Sequence, residues 1–499
     1  MRTGEDLTGT GPPRRELRGL VVRGVGWMMA SQVSIQAVGL VTSIIIARFL
    51  TPREVGLAAM GVVFVNLALL LADAGVAAAI VQRPTLTEDD KSTAFWATMA
   101  LGVGLTLAGI GLSWPIADFY GEPRVQPIFA ALSFAYLFTA PGIVQGALLT
   151  RELKFRSLEL RTIAATTASC AAGIALAVAG FGPWAIVAQH LTITLVSTAL
   201  LWRSSSWRPR FHATRASFRE MSGFSSHVLG SRVFTWLARN VDNLLVGRYL
   251  GAAALGAYSL AFNLMITPVT RVAGPITQVF YPAFSRMREP ERIAGAWLRA
   301  VRMVAVIVTP AMLGVIVVAP DFVRVVFGPR WHAAVPVLRI LAPIGLVQAL
   351  QALNYGILQS TARTRVLVRY TAVASVATVG AFAAGLPWGI EGVATAYVLV
   401  SLVLEPAYLI LTTRAVGITP WRWLATIRGV LEAGGIMFAL LLLARELLLR
   451  TDVPVGARLA VEIVVGAAVY VPAVLWRAPE VKSEVRAALA ARRAAAEPA

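Results

Sequence analysis

Apolar runs of about twenty residues, separated by short polar turns, recur along almost the whole chain. A run of that length crosses the hydrocarbon core of a bilayer as an α-helix. The pattern predicts an all-α polytopic membrane protein with fourteen transmembrane helices. The first six fall at 25–46, 55–81, 93–116, 127–149, 163–180 and 183–202. Six more follow at 218–246, 255–284, 293–318, 333–359, 366–386 and 389–413, and two close the chain at 423–443 and 455–476. The resulting organisation is a polar, disordered tail (1–17), an N-lobe of helices 1–6 (18–202) and a basic linker (203–217). A C-lobe of helices 7–12 (218–413), helices 13 and 14 (414–476) and a basic, Ala-rich tail (477–499) complete it.

The two sets of six are copies of one another. VTSIIIARFLTPREVG at 41–56 returns without a gap as VDNLLVGRYLGAAALG at 241–256. Val41, Arg48, Leu50 and Gly56 are matched by Val241, Arg248, Leu250 and Gly256, and Phe49 is answered by Tyr249. In each copy an apolar helix ends at Arg-aromatic-Leu, a short turn follows, and Gly stands early in the next helix. A second near-copy, GFGPW at 180–184 and GLPWG at 385–389, joins the fifth helix to the sixth in each set, with Trp184 and Trp388 expected at headgroup level. Internal repeats of this kind take precedence in reading a fold. An even number of crossings per copy inserts both in the same sense, a parallel repeat around an axis along the membrane normal. Two such bundles leave a central cavity that can open to either side, which is the geometry of transport.

Composition agrees. Hydrophobic residues make up 57% of the 499, charged residues only 14%, and mean hydropathy is +0.70, where a soluble chain carries about 25% charged. The net charge of +19 would suit a nucleic-acid partner, but the basic residues sit between the spans. With the N-terminus in the cytoplasm, thirty Lys and Arg fall on the cytoplasmic side and nine on the other. That asymmetry is what the positive-inside rule requires, and it places both termini in the cytoplasm. Cys170 stands alone in an apolar run, and the four His are scattered without ligand spacing. No cofactor or metal site is implied, and no cleavable signal peptide is apparent.

Polar residues within spans are costly and mark pathways. Gln32, Gln36, Gly39 and Ser43 share one face of the first helix; Arg232, Trp236, Arg239 and Asn243 occupy the equivalent face of the seventh, with Asp242 beside them. The second helix carries Asn66 and Asp73. The eighth carries Asn263, Thr267, Thr270, Arg271, Gly274 and Gln278. Arg232, Arg239 and Arg271 form a candidate cationic lining, and guanidinium binds phosphate through paired, permanently charged donors. Gln32, Gln36, Asn243 and Asn263 are candidate polar contacts to the same substrate. Asp73 and Asp242 either pair with these arginines, as Asp242 with Arg239 would to fix packing, or carry a coupling proton or ion. Arg48 and Arg248 read as helix-end anchors; Glu405, Glu432 and Glu462 read as packing or lipid-edge residues.

Several stretches resemble the multidrug/oligosaccharidyl-lipid/polysaccharide exporter superfamily, and within it the Wzx-type branch of O-antigen flippases and colanic-acid or teichuronic-acid exporters. They are IIIARFLTPREVGLAAM (44–60), ADAGVAAAIVQRP (72–84), GALLTRELKFRSLELR (146–161), DNLLVGRYLGAAALGAYSLAFNL (242–264) and FYPAFSRM (280–287). The resemblance covers most of 18–420. It implies two six-helix lobes around a cavity and passage of undecaprenyl-diphosphate-linked oligosaccharide from the cytoplasmic to the periplasmic leaflet of the bacterial inner membrane. Glycosyltransferases and a polymerase of the same pathway are the implied partners, besides membrane lipids. A drug or cation antiporter on the same fold is the alternative, but its cavity should be dominated by carboxylates. A membrane polysaccharide polymerase or ligase would need a large outward loop with acid/base groups, and the outward loops here are short.

Overall fold

A computed structural model describes residues 35–483, apart from 37, 74, 84, 215–224, 278–279, 281–283, 285–286, 288 and 362. The described residues fold into helices and connecting turns, without strands. Eleven stretches among them are long and apolar enough to cross a membrane; the protein is a multi-pass membrane protein. The chain divides into two compact units. One comprises residues up to Leu50 together with Gly61–Trp236, and the other Thr51–Met60 together with Leu237–Ala499.

The described chain begins with α1 (Val38–Phe49) and α2 (Pro52–Asp73), whose first turns, to Met60, belong to the second unit and whose remainder belongs to the first. Thr51 and Glu54 form a reciprocal cap at the start of α2: the Thr51 backbone N–H donates to Glu54 Oε2 at 2.7 Å, and the Glu54 N–H donates to Thr51 Oγ1 at 3.3 Å. The second predicted span is not one helix. It breaks at Gly75, in the left-handed region at φ 76°, and resumes as the short α3 (Val76–Gln82). Then come α4 (Glu88–Tyr120), α5 (Val125–Leu132), α6 (Phe134–Arg151), α7 (Phe155–Val178) and α8 (Trp184–Ser204). Small residues let α4 and α6 approach closely: a Cβ at Gly102 would meet the Tyr136 carbonyl and Ala140. Beside that contact Thr106 Oγ1 donates to the Ser133 carbonyl at 3.1 Å.

From Leu237 on, α9 (Ser225–Pro268) belongs to the second unit; its helical run is interrupted at Gly251, at φ 85°. One π-helical turn (Val269–Ala273) comes directly after Pro268. Next are α10 (Pro290–Val326), α11 (Ala334–Gln351), α12 (Asn354–Ser360), α13 (Thr364–Gly385), α14 (Gly389–Ala415), α15 (Pro420–Leu449) and α16 (Val455–Arg477). Its core is a stripe on α10, Trp297, Val301, Val304, Val308 and Met312, whose three- and four-residue spacing puts them on one face. Trp423, Ile427, Val430 and Met437 of α15 and Val474 of α16 pack against it. Tyr470 Oη donates to the Val306 carbonyl at 2.8 Å.

A buried ion cluster fastens the same three helices. Asp321, on α10, accepts from Arg458 Nη2 at 2.6 Å and Arg445 Nη1 at 3.1 Å; Arg445 also donates to Glu462 at 2.8 Å. Asp321 is 2% exposed and Glu462 fully buried. Glu462 is therefore a member of an ion cluster and not a lipid-edge residue.

The turn regions of the repeated motif meet within this unit. A Cβ placed on Gly56 would collide with the Ala252 carbonyl oxygen, and one on Gly256 with the Pro52 carbonyl oxygen. Position 52 stands to 56 as 252 stands to 256, so the contact is reciprocal.

Candidate functional site

Of the residues expected to line a pathway, Gln32 and Gln278 lie outside the described residues. Gln36 is half-buried on the approach to α1, and Ser43 is exposed on the helix itself. Asn66 is exposed on α2, and Asp73 is the last residue of that helix, two residues before the Gly75 break. The backbone at Arg232, Arg239 and Asn243 is helical, which places these positions along one face of α9; the side chains of Arg232 and Arg239 lie outside the described ones.

Asp242 is 2% exposed. Its Oδ2 accepts a hydrogen bond from Tyr258 Oη at 3.1 Å, across the Gly251 turn. Its Oδ1 is buried with no partner among the described residues. The described partner of Asp242 is thus a phenol. Beside it Asn243 Oδ1 accepts from Ser259 Oγ at 3.3 Å.

The polar setting continues through α11 and α14. Tyr397 lies within electrostatic reach of both Asp242 and Glu405. Gln348 Nε2 donates to Tyr397 Oη at 2.5 Å, and the Tyr397 ring stacks on Phe382 with centroids 5.3 Å apart. Tyr370 and Tyr408 stack face to face at 4.5 Å, both within reach of Glu405. Among the described residues, tyrosines are the neighbours of both acidic groups. Sequence reading named Asp242 and the α9 stripe but not their neighbours Tyr258, Gln348 and Tyr397. They are single polar residues on separate helices, and only tertiary packing gathers them. The sixteen-residue spacing of Asp242 and Tyr258 carries no helical signal because a turn intervenes.

Arg271 falls in the π-turn and is exposed, as are Asn263 and Thr270. Pro268 has no N–H to donate, and a π-turn follows; such turns occur often at functional positions. Thr270 Oγ1 is used on its own helix, donating 3.1 Å to the Ile266 carbonyl. A charged side chain exposed in an apolar stretch is costly against acyl chains and is stable where it meets water or protein.

The helices share their fold with solved membrane-protein structures. The solved structure of the lipid II flippase MurJ in an inward closed conformation superposes with a TM-score of 0.73, covering 92% of this chain and 99% of that one at 13% identity. An inward-facing multidrug resistance transporter of the MATE family gives 0.62 over 77% of this chain and 94% of its own, at 15% identity. The chain belongs to the polysaccharide biosynthesis protein family, whose model matches residues 45–336. Its relatives include the lipopolysaccharide biosynthesis protein WzxC of Escherichia coli K12, 28% identical over 78% of this chain and 80% of that one. The succinoglycan biosynthesis transport protein ExoT of Rhizobium meliloti is 28% identical over 73% and 74%. The teichuronic acid biosynthesis protein TuaB of Bacillus subtilis is 28% identical over 69% and 72%.

Proposed function

We propose that this chain is a flippase that carries a lipid-linked oligosaccharide across the bacterial inner membrane, from the cytoplasmic to the periplasmic leaflet, for surface polysaccharide synthesis. The supporting observation is the pairing of family and fold. A polysaccharide biosynthesis family model matches 45–336, and a lipid II flippase fold covers 92% of the chain, whereas the multidrug transporter fold accounts for 77%. Curated relatives serve the synthesis of several different surface glycans, which fits a carrier that recognises the shared lipid diphosphate.

In this reading the chain crosses the bilayer fourteen times as two parallel six-helix repeats plus two helices, with both termini cytoplasmic. The reciprocal Gly56 and Gly256 contacts support the repeat, as does the matched exposure of Arg48 and Arg248 and of Phe49 and Tyr249. Arg232, Arg239 and Arg271 take the diphosphate, and Gln32, Gln36, Asn243 and Asn263 take sugar hydroxyls. Asp242, with Asp73 as the other candidate, carries the coupling proton or ion. Alternating access of the two halves moves the substrate, which glycosyltransferases supply and a polymerase consumes.

Deletion of the gene tests this. The expected result is loss of one surface polysaccharide with accumulation of its lipid-linked unit, at unchanged drug susceptibility. Normal polysaccharide with increased drug susceptibility would instead identify a drug antiporter.

A further inference from the structure

The segment after α8, read from sequence as a linker, is docked through its described length. The Arg210 N–H donates to Ser92 Oγ at 3.2 Å, and the Thr214 N–H donates to Thr93 Oγ1 at 3.0 Å. In return Trp96 Nε1 donates to the Arg210 carbonyl at 2.8 Å, and Trp207 Nε1 donates to Glu88 Oε2 at 2.9 Å. The Arg208 guanidinium turns back to cap α8, donating to the Trp202 and Ser205 carbonyls at 3.0 and 2.6 Å, and lies 5.2 Å from the Trp202 ring. Residues 205–214 thus form a strap along the first turns of α4.

The strap's outer surface is unlike one built for water. Phe211 is 94% exposed, with its ring stacked on Trp96 at 5.1 Å. Arg208 and Arg210 on the strap, and Arg203 at the end of α8, are exposed as well. The adjacent Glu88 is engaged by Lys91 and Trp207; Asp89 is the exposed carboxylate beside them without an ion pair among the described residues. The strap joins the end of one apolar span, α8, to the start of another, α4, so it lies at the level of the lipid headgroups. Aromatic rings favour that depth, and cationic side chains there are drawn to anionic lipid.

We propose that the 205–214 strap is a membrane-surface docking site for anionic phospholipid headgroups. Phe211 enters the interface, and Arg203 and Arg210 contact headgroup phosphates. Arg208 shapes the strap by capping α8. The site is distinct from the substrate pathway and does not depend on that assignment.

The test uses the full chain in lipid nanodiscs. Ala213 is replaced by Cys for an environment-sensitive label in a chain with Cys170→Ala, which removes the single native cysteine. Quenching by brominated lipid is compared in phosphatidylcholine alone and in an equimolar mixture with phosphatidylglycerol. Each arginine near an anionic surface shifts surface occupancy about fivefold. The expected result is deeper quenching in the mixture, lost in an Arg203→Gln/Arg210→Gln variant and weakened by salt at about 0.5 M. Both arginines are exposed, so elution profile and thermal midpoint should match the parent. Equal quenching in the two compositions, or a lipid response that survives in the variant, would overturn the proposal.

Discussion

Gly56 and Gly256 lie against each other's turns, each leaving room for the carbonyl oxygen four residues before the other. The two turns are made differently. The first has the Thr51–Glu54 cap, the second a left-handed glycine at Gly251. Different local chemistry therefore produces the same register and the same contact. Since backbone is the neighbour on both sides, neither contact can be relieved by a side-chain rotation. Gly56→Leu and Gly256→Leu should each destabilise the protein by at least the ~1–3 kcal/mol typical of overpacking, read as a lowered thermal midpoint in detergent. Gly104→Ala, which meets open space, should leave the midpoint unchanged. Equal behaviour of all three would remove the contact from the account.

The cluster of Asp321, Arg445, Arg458 and Glu462 should behave as one buried unit. Removing one partner leaves uncompensated charge, at a cost of roughly 3–5 kcal/mol. Asp321→Ala should approach that loss, and a double-mutant cycle with Arg458→Ala should show strong non-additivity. Glu446→Gln removes an exposed pair with Arg450, whose side chains are 61% and 71% accessible, and should change stability by less than about 1 kcal/mol. Chemical denaturation of the purified protein would distinguish the two cases. The result also bears on α15 and α16: through this cluster and the α10 stripe they are integral to the second unit.

Much of this was legible in the sequence, and the gaps have physical reasons. The multi-pass helical character is recoverable because a bilayer demands about twenty apolar residues per crossing, and eleven described stretches meet that demand. The helix break at Gly75 was not, because Ala-rich sequence on both sides keeps the apolar pattern running through it. The ion cluster joins residues up to 137 positions apart, Asp321 and Arg458. Nothing local distinguishes Arg458 from any other arginine at a helix end. The strap was hidden for the opposite reason: its basic, Ser- and Pro-bearing composition reads as linker, and its docking rests on Trp96 and Trp207, which lie on separate stretches of the chain.

The pathway residues give a further expectation. Arg271→Ala should reduce surface polysaccharide at normal protein level by about tenfold or more, the scale of losing one charge-assisted contact of ~1.5–3 kcal/mol. Arg271→Lys should restore only part, since a point charge lacks the paired donors. Quantifying surface glycan against membrane protein abundance checks both. Full activity of the alanine variant would remove Arg271 from the site.

Asp242 and Tyr258 are expected to act together. If Asp242 carries the coupling ion, Asp242→Asn should abolish the response of transport to an imposed proton or sodium gradient. Tyr258→Phe removes one hydrogen bond and should weaken that response while leaving the protein folded. Transport assays in vesicles with each gradient set separately would read this. A gradient response that persists undiminished in Asp242→Asn would exclude it as the coupling group.

The central claim, translocation of a lipid-linked glycan, is tested most directly with purified protein in proteoliposomes. The vesicles contain a fluorescent undecaprenyl-diphosphate oligosaccharide, and an external enzyme cleaves only the outer-leaflet headgroups. The account predicts that with this protein the cleaved fraction rises well beyond the outer-leaflet share, and that this gain is largely lost with Arg271→Ala. A cleaved fraction that stays at the outer-leaflet share, as in protein-free vesicles, would contradict it.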